Sequence, residues 1–142
     1  FGEVVENICE NLSGDHVMWT PCVCPLVGPK HFIEAIKIYL EDKNHDSLVT
    51  VKKFKEYLWD KDGPVNYDAG RGHAPSQNLP DMWVVINGIF LGRREDMIKW
   101  SYWMGKNPYK YEIAKNASID IDDETDFEIA KHLYKTYYES DK

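Results

Sequence analysis

HVMWT at residues 16–20, PCVCP at 21–25 and SLVTV at 47–51, with the run beginning at Gly28-Pro29 between them, decide the reading of the fold. His16–Thr20 is a short apolar run closed by turn residues, the pattern of a buried strand. Pro21 and Pro25 cannot both sit in a central ladder, so the strand ends there and a loop emerges at its carboxyl end. Pro29 suits the first position of a helix, and Phe32, Ile33, Ile36, Tyr39 and Leu40 give that helix an apolar face. Asn44-His45-Asp46 breaks it, and the β-rich Ser47–Val51 follows. Strand, helix and strand at this spacing make a βαβ unit with a right-handed crossover. Open α/β sheets bind ligands beyond the carboxyl ends of their strands, where the loop of residues 21–25 lies.

The flanking sequence extends this pattern. Val4, Val5, Ile8, Cys9 and Leu12 recur at helical spacing before Ser13-Gly14. Met82–Ile86 and Ile89–Leu91 read as one long strand in which Asn87-Gly88 makes a bulge rather than a turn, because every flanking residue is apolar. Arg93–Met104 reads as a helix and Tyr109–Ile113 as a strand. Residues 51–81 are poorly periodic, with Lys52, Lys53 and Lys55 forming a basic patch and Tyr57, Leu58 and Trp59 demanding burial. Such a long excursion is often functional, and its aromatics suit a partner subunit or an irregular subdomain folded on itself.

The stretch from Ser118 to Phe127 carries the chemistry. Ser118–Asp122 alternates polar and apolar residues, which predicts a short strand with Asp120 and Asp122 on one side, their backbones about 6–7 Å apart. Two such carboxylates can share a hard cation such as Mg²⁺. Phe127, Ile129, Ala130, Leu133, Tyr134 and Tyr137 then follow a helical period, and the same acids serve equally as caps of that helix.

Composition narrows the classes. A chain of 142 residues with 43% hydrophobic content has room for one domain and a core, over residues 1–142. No apolar run approaches a membrane span, and a formal charge of −7 argues against non-specific nucleic-acid binding. Cys9, Cys22 and Cys24 form neither a disulfide framework nor a zinc spacing, and read as buried or semi-buried thiols. With no basic leader before Phe1, the expected location is the cytoplasm. The five histidines read as structural or surface residues, and Trp100 and Trp103 as core rather than a sugar platform.

Several stretches resemble, in order, those of the acylneuraminate cytidylyltransferases, which make CMP-sialic acids. Ser118-Ile119-Asp120-Ile121-Asp122 with Asp126-Phe127 resembles that family's S-I-D-I-D-T-x-x-D-F pattern. Ser76–Pro80 resembles R-x-Q-D/Q-L-P, Asn87–Phe90 resembles N-G-x-Y, and Cys22–Leu26 sits where the family has P-T-S-P-L. Gly105–Pro108 is similar to a stretch of some members. The resemblance implies a Rossmann-like three-layer α/β/α sandwich with a mixed sheet, truncated at its N-terminus, and an excursion over 51–81 used in a homodimer contact. It implies a reaction of CTP with a nonulosonic, sialic-acid-like 2-keto sugar acid, giving a CMP-sugar and pyrophosphate. Asp120 and Asp122 would hold Mg²⁺, or Mn²⁺, as the catalytic pair, Asn87 would meet the sugar, and Gln77 would lie close to the sugar-carboxylate site. The family's R-x-G-S-K phosphate loop has no counterpart here, Val23-Cys24 replaces Thr-Ser, and Pro75-Ser76 stands in place of an arginine, with Arg71 nearby as the residue expected to fill in. These departures imply that this chain alone is inactive, the alternative being a non-catalytic binding or assembly module on the same scaffold.

Overall fold

The computed structural model describes residues 1–137; residues 138–142, the tail of the domain expected over 1–142, lie outside the described residues. Helix α1 (Gly2–Glu10) leads to β1 (His16–Trp19), α2 (Pro29–Glu41) and β2 (Ser47–Phe54). The excursion carries a small hairpin of β3 (Trp59–Asp60) and β4 (Gly63–Pro64). Then come β5 (Met82–Arg93), α3 (Arg94–Trp100), β6 (Pro108–Glu112) and α4 (Glu124–Tyr137).

The main sheet has the order β1-β5-β2-β6. Strands β1 and β2 both run antiparallel to β5, while β2 runs parallel to β6. The βαβ unit is therefore present, with β1 and β2 parallel, but β5 is inserted between its two strands. The result is an α/β fold with a mixed four-stranded sheet, consistent with the Rossmann-like class.

One face of the sheet is covered by α2, where Ala35 packs among Val27, Leu48, Ile89, Leu91, Tyr111 and Ile113. A hydrogen bond of 2.8 Å from the Tyr111 hydroxyl to Glu34 ties β6 to this helix. On the other side, Val5 and Cys9 of α1 pack with Met97 of α3 and Val17 of β1. Trp19, Trp103 and Phe90 continue that layer over Val49 and Val51. The helices bury less of their apolar faces than their periodicity suggests. Val4, Ile8 and Leu12 of the α1 segment, and Ile33, Ile36 and Leu40 of α2, remain exposed.

Two expected elements are corrected. The helix predicted over Arg93–Met104 stops at Trp100. Ser101 adopts a left-handed backbone (φ 48°), and the N–H groups of Ser101 and Tyr102 donate back to the carbonyls of Ile98 and Met97. That pairing is a Schellman closure, with serine where glycine is usual. The strand predicted over Ser118–Asp122 is absent: a 3-10 turn at Lys115–Ala117 leads into irregular backbone. Its one backbone link to the neighbouring loop runs from Ile121 N–H to the Val23 carbonyl, at 3.0 Å. Pro21 and Pro25 flank that carbonyl and have no N–H to donate, so no ladder propagates.

The bulge at Asn87-Gly88 is present. Val49 pairs with Phe90 but Val51 pairs with Val85, so Ile86–Ile89 all face the single residue Thr50. The fully buried Thr50 hydroxyl donates to the Ile86 carbonyl (2.9 Å) and accepts from the Ile89 N–H (2.9 Å). It thereby satisfies backbone groups that the interrupted ladder leaves open. A Cβ on Gly88 would lie 3.1 Å from both the Thr50 hydroxyl and a Val27 methyl, so the close approach at this point suits glycine.

The excursion folds in part upon itself. The Tyr57 ring stacks on His73 and meets Tyr67 edge-on, and the Tyr57 hydroxyl donates to the Ala74 carbonyl at 2.8 Å. Leu79 is buried, whereas Trp59 and Val65 stay exposed.

Candidate functional site

The parallel strands β1, β2 and β6 end on one side of the sheet, and the loops leaving them converge there. The Pro21–Pro25 loop follows β1, the basic end of β2 leads into the excursion, and the Lys115–Asp122 segment follows β6. The bulge of β5 adds Asn87. Because Thr50 holds the bulge from below, Asn87 projects outward and its amide donates to Asp120 Oδ2 at 2.9 Å.

Five acids lie between Asp120 and Asp126, and their bonds divide them by task. Asp123 Oδ1 accepts from the N–H groups of Thr125 (2.8 Å) and Asp126 (3.1 Å). Asp126 Oδ2 accepts in return from the N–H groups of Asp122 and Asp123. This is a reciprocal cap at the start of α4, with aspartate at both positions of the capping box. The capping work thus falls to Asp123 and Asp126. The Asp122 carboxylate is exposed and has no hydrogen-bond or ion-pair partner among the described residues.

Asp120 is different again. It is half-buried, and its Oδ1 is shielded from solvent without any hydrogen-bond partner among the described residues. A carboxylate oxygen stripped of water and left unpaired costs about 1–3 kcal/mol or more. A cation at this position would remove that cost, so the donor set fits a hard divalent ion held by Asp120 with Asp122 beside it. Among the described residues no third acid, cysteine or histidine completes an all-protein cage. Mg²⁺ is commonly held by one or two carboxylates plus ligand phosphates.

Cys24 is buried behind the two aspartates. Burial, with Asp120 and Asp122 adding to it and Lys52 opposing, pushes its thiol up to about 12. It is neutral at physiological pH and acts as packing. All three cysteines are free; Cys9 and Cys24 are buried as expected, but Cys22 is exposed on the loop, which corrects its reading as a buried or semi-buried thiol. A cleft of about 520 Å³ opens beside Asn87, walled by Trp19, Trp103, Phe1 and the Pro21–Val23 loop. Trp103 is half-buried with its ring against Trp19 and Phe90, so it is part of the core and also a cleft wall. Trp19 was not singled out from the sequence; its place directly before the proline loop was the available signal.

Gln77 lies in a 3-10 turn at Ser76–Asn78 and Arg71 in a turn of the excursion, both exposed. Neither shares a hydrogen bond or ion pair with Asn87 or Asp120 among the described residues. The structure thus brings together Asn87, Asp120 and the Pro21–Pro25 loop.

An α/β sheet with an oriented carboxylate, a second acid beside it and an aromatic cleft beyond its strand ends has the form of a small-ligand site. No protein-family model matches the chain. Over 108 residues, 75% of the chain, it is 26% identical to N-acylneuraminate cytidylyltransferases of Streptococcus agalactiae, in serotypes III, Ia and V. The chain spans 25% of the length of those relatives. The similarity is distant, and it points to a relationship with cytidylyltransferases. No helix among the described residues is long and apolar enough to cross a membrane.

Proposed function

We propose that the chain is part of a cytidylyltransferase that joins CTP to a sialic-acid-like 2-keto sugar acid, with Asp120 and Asp122 as its Mg²⁺ ligands. The observation that carries this reading is the buried, unpartnered Oδ1 of Asp120, on a carboxylate whose other oxygen is fixed by Asn87. When bound, a divalent ion would offset the repulsion among the attacking hydroxyl, the α-phosphate and the departing pyrophosphate. Mn²⁺ suits the same oxygen donors.

The chain's own residues set up that chemistry. Asn87 fixes the rotation of Asp120, so Oδ1 keeps one direction. Its amide oxygen has no partner among the described residues and is free to accept a hydrogen bond from a sugar hydroxyl. Asp123 and Asp126 satisfy the first turn of α4, which leaves Asp122 uncommitted. Trp19 and Trp103 give the cleft an apolar wall that excludes water from one side of a bound ligand. Gln77 and Arg71 reach the sugar carboxylate from the excursion of a second copy in a homodimer, where exposed Trp59 and Val65 are covered. The R-x-G-S-K phosphate loop of the resembling family has no counterpart in this sequence, so turnover of CTP by this chain alone is not expected.

The test is thermal unfolding in MgCl₂ or MnCl₂ against NaCl of equal ionic strength. At a hundredfold excess over Kd, a ligand specific for the folded state adds ~2.7 kcal/mol, which raises Tm by several degrees. Asp120→Asn and Asp122→Asn should abolish most of that gain. An unshifted wild type, or variants shifted equally, would remove the metal site from the proposal.

A second reading is a binding or assembly module without turnover. The buried, neutral Cys24 favours it, since no hydroxyl is presented where the resembling loop has serine. Pyrophosphate release from CTP and a nonulosonic acid by the longer polypeptide decides between the two.

A further inference from the structure

A second cleft, of about 390 Å³, lies where the end of β2 meets β5 and the turn after β6. Lys52, Lys53, Lys55 and Lys115 line it, together with Glu56 and Val84. Four lysines in one cleft are unexpected in a chain with a formal charge of −7. Their contacts show how little of this charge is answered. Lys53 and Lys55 share one counter-ion, Asp81, at 3.1 and 2.7 Å, and Lys55 also donates to the Leu79 carbonyl. The cations on either side hold Asp81 well below the usual carboxylate range. Among the described residues Lys52 and Lys115 have no acidic partner within ion-pair distance, and Glu56 has no cationic one. With Lys53 and Lys55 answered by Asp81, the unanswered positive charge of the cleft is that of Lys52 and Lys115, with Glu56 as the acid in its lining, a field that an anion would neutralise.

The positions of these lysines are fixed by regular structure. Lys52 and Lys53 pair in register with Val84 and Trp83 of β5. The Ile113 N–H donates to the Val51 carbonyl (2.9 Å), which anchors the backbone just before the turn that carries Lys115. Lys52 and Lys53 leave opposite faces of β2, so Lys53 and Lys55 go to Asp81, while Lys52 and Lys115 reach the cleft from two separate segments. Ammonium groups brought from two segments suit a ligand with several equivalent oxygens, such as a phosphate, which lysine binds as a point charge.

We infer that this lysine-lined cleft is a binding site for a small phosphate-type polyanion, held by Lys52 and Lys115. The site is separate from the Asp120 carboxylate, and the inference stands whether or not that carboxylate holds a metal. Both clefts open from the same end of the sheet, and Lys52 lies near enough to Cys24 to act on its thiol electrostatically.

The experiment is a titration of the isotope-labelled chain with inorganic pyrophosphate, orthophosphate and CTP, in low salt with a chelator present, followed by amide chemical shifts. Pyrophosphate should shift Lys52–Glu56, Val84 and Lys115 saturably. The double variant K52Q/K115Q should weaken binding by about tenfold or more. Both side chains are at least partly solvent-accessible, so the fold should survive, and K52R/K115R should bind nearly as the wild type does. Asp120→Asn should bind at least as tightly as the wild type. Equal responses to pyrophosphate and CTP identify the phosphate tail as the bound group. Absence of saturable shifts, binding by K52Q/K115Q equal to wild type, binding of CTP without pyrophosphate, or loss of binding in Asp120→Asn would each overturn the inference.

Discussion

Replacing Thr50 with valine removes one hydroxyl and almost no volume, yet it attacks the device that aims Asn87. In the native chain that hydroxyl bonds to the Ile86 carbonyl and the Ile89 N–H, each at 2.9 Å. Ile86 and Ile89 are buried at 2% and 0% exposure, so water cannot replace the lost partner without opening the sheet. Each stranded backbone group costs about 1–3 kcal/mol, so Thr50→Val should destabilise the chain by roughly 2–5 kcal/mol. That is a large share of the ~5–15 kcal/mol typical of a domain. Urea unfolding followed by tryptophan fluorescence measures it as a lower midpoint at unchanged slope. Thr50→Ser keeps the hydroxyl and loses one methyl, and should recover most of the stability. A loss below ~1 kcal/mol for Thr50→Val, within the range of ordinary neutral substitutions, would refute the claim that this hydroxyl closes the bulge.

Other substitutions probe the site and its surroundings. Asp123→Ala removes the acceptor for Thr125 and Asp126 N–H, so the first turn of α4 should lose ~1 kcal/mol of local stability, and hydrogen exchange of those amides reads the fraying. His31 is buried and its Nδ1 accepts from the Gly28 N–H at 3.0 Å, and burial, reinforced by Lys30, pushes its pKa below the ordinary value of 6.5. The unfolded chain therefore binds the extra proton more readily, and the His31 contribution is complete above that value and lost as pH falls below it. Denaturant titrations should show a slope of up to ~1.4 kcal/mol per pH unit that is absent in His31→Gln. Cys22 is exposed while Cys9 and Cys24 are buried, so a thiol reagent at neutral pH should label Cys22 quickly and the other two only on unfolding; rapid native labelling of Cys24 would contradict its packing behind the aspartates.

What the sequence revealed depended on whether the signal was local. Asn87-Gly88 between apolar runs announces a bulge because only a local irregularity reconciles a turn dipeptide with an uninterrupted apolar run, and the structure has it, although Trp83, Val84 and Val85 before it are exposed. Pro21 and Pro25 likewise mark where β1 ends. The direction of β5 was not legible: a run of apolar residues reports burial on both faces, and burial is the same for parallel and antiparallel neighbours. The insertion of β5 between β1 and β2 follows from pairings across more than 30 residues, such as Val49 with Phe90. Helical periodicity correctly grouped Ile33, Ile36 and Leu40, but it says nothing about how much of that stripe a four-stranded sheet covers.

The acidic stretch shows the same limit and also its value. Ser118–Asp122 alternates polar and apolar residues as a strand does, but exposure instead rises along it, from buried Ser118 through half-buried Ile119, Asp120 and Ile121 to exposed Asp122, so the alternation does not mark two faces. A strand requires in addition a neighbour with free donors and acceptors in register, and the proline loop beside it supplies only the Val23 carbonyl. Losing the ladder changes what the two acids can do. In a regular strand their separation would be fixed by the backbone repeat. Here Asp120 is fixed instead by Asn87, and Asp122 by a backbone whose N–H is held in the Asp126 cap. The spacing of the two carboxylates is then set jointly by the β5 bulge and the start of α4. If Thr50→Val lets the bulge relax, the Mg²⁺ response should weaken along with stability, although Thr50 itself touches neither aspartate. A variant that unfolds more easily yet keeps the full metal-dependent rise in Tm would show that the carboxylates hold their geometry without the bulge.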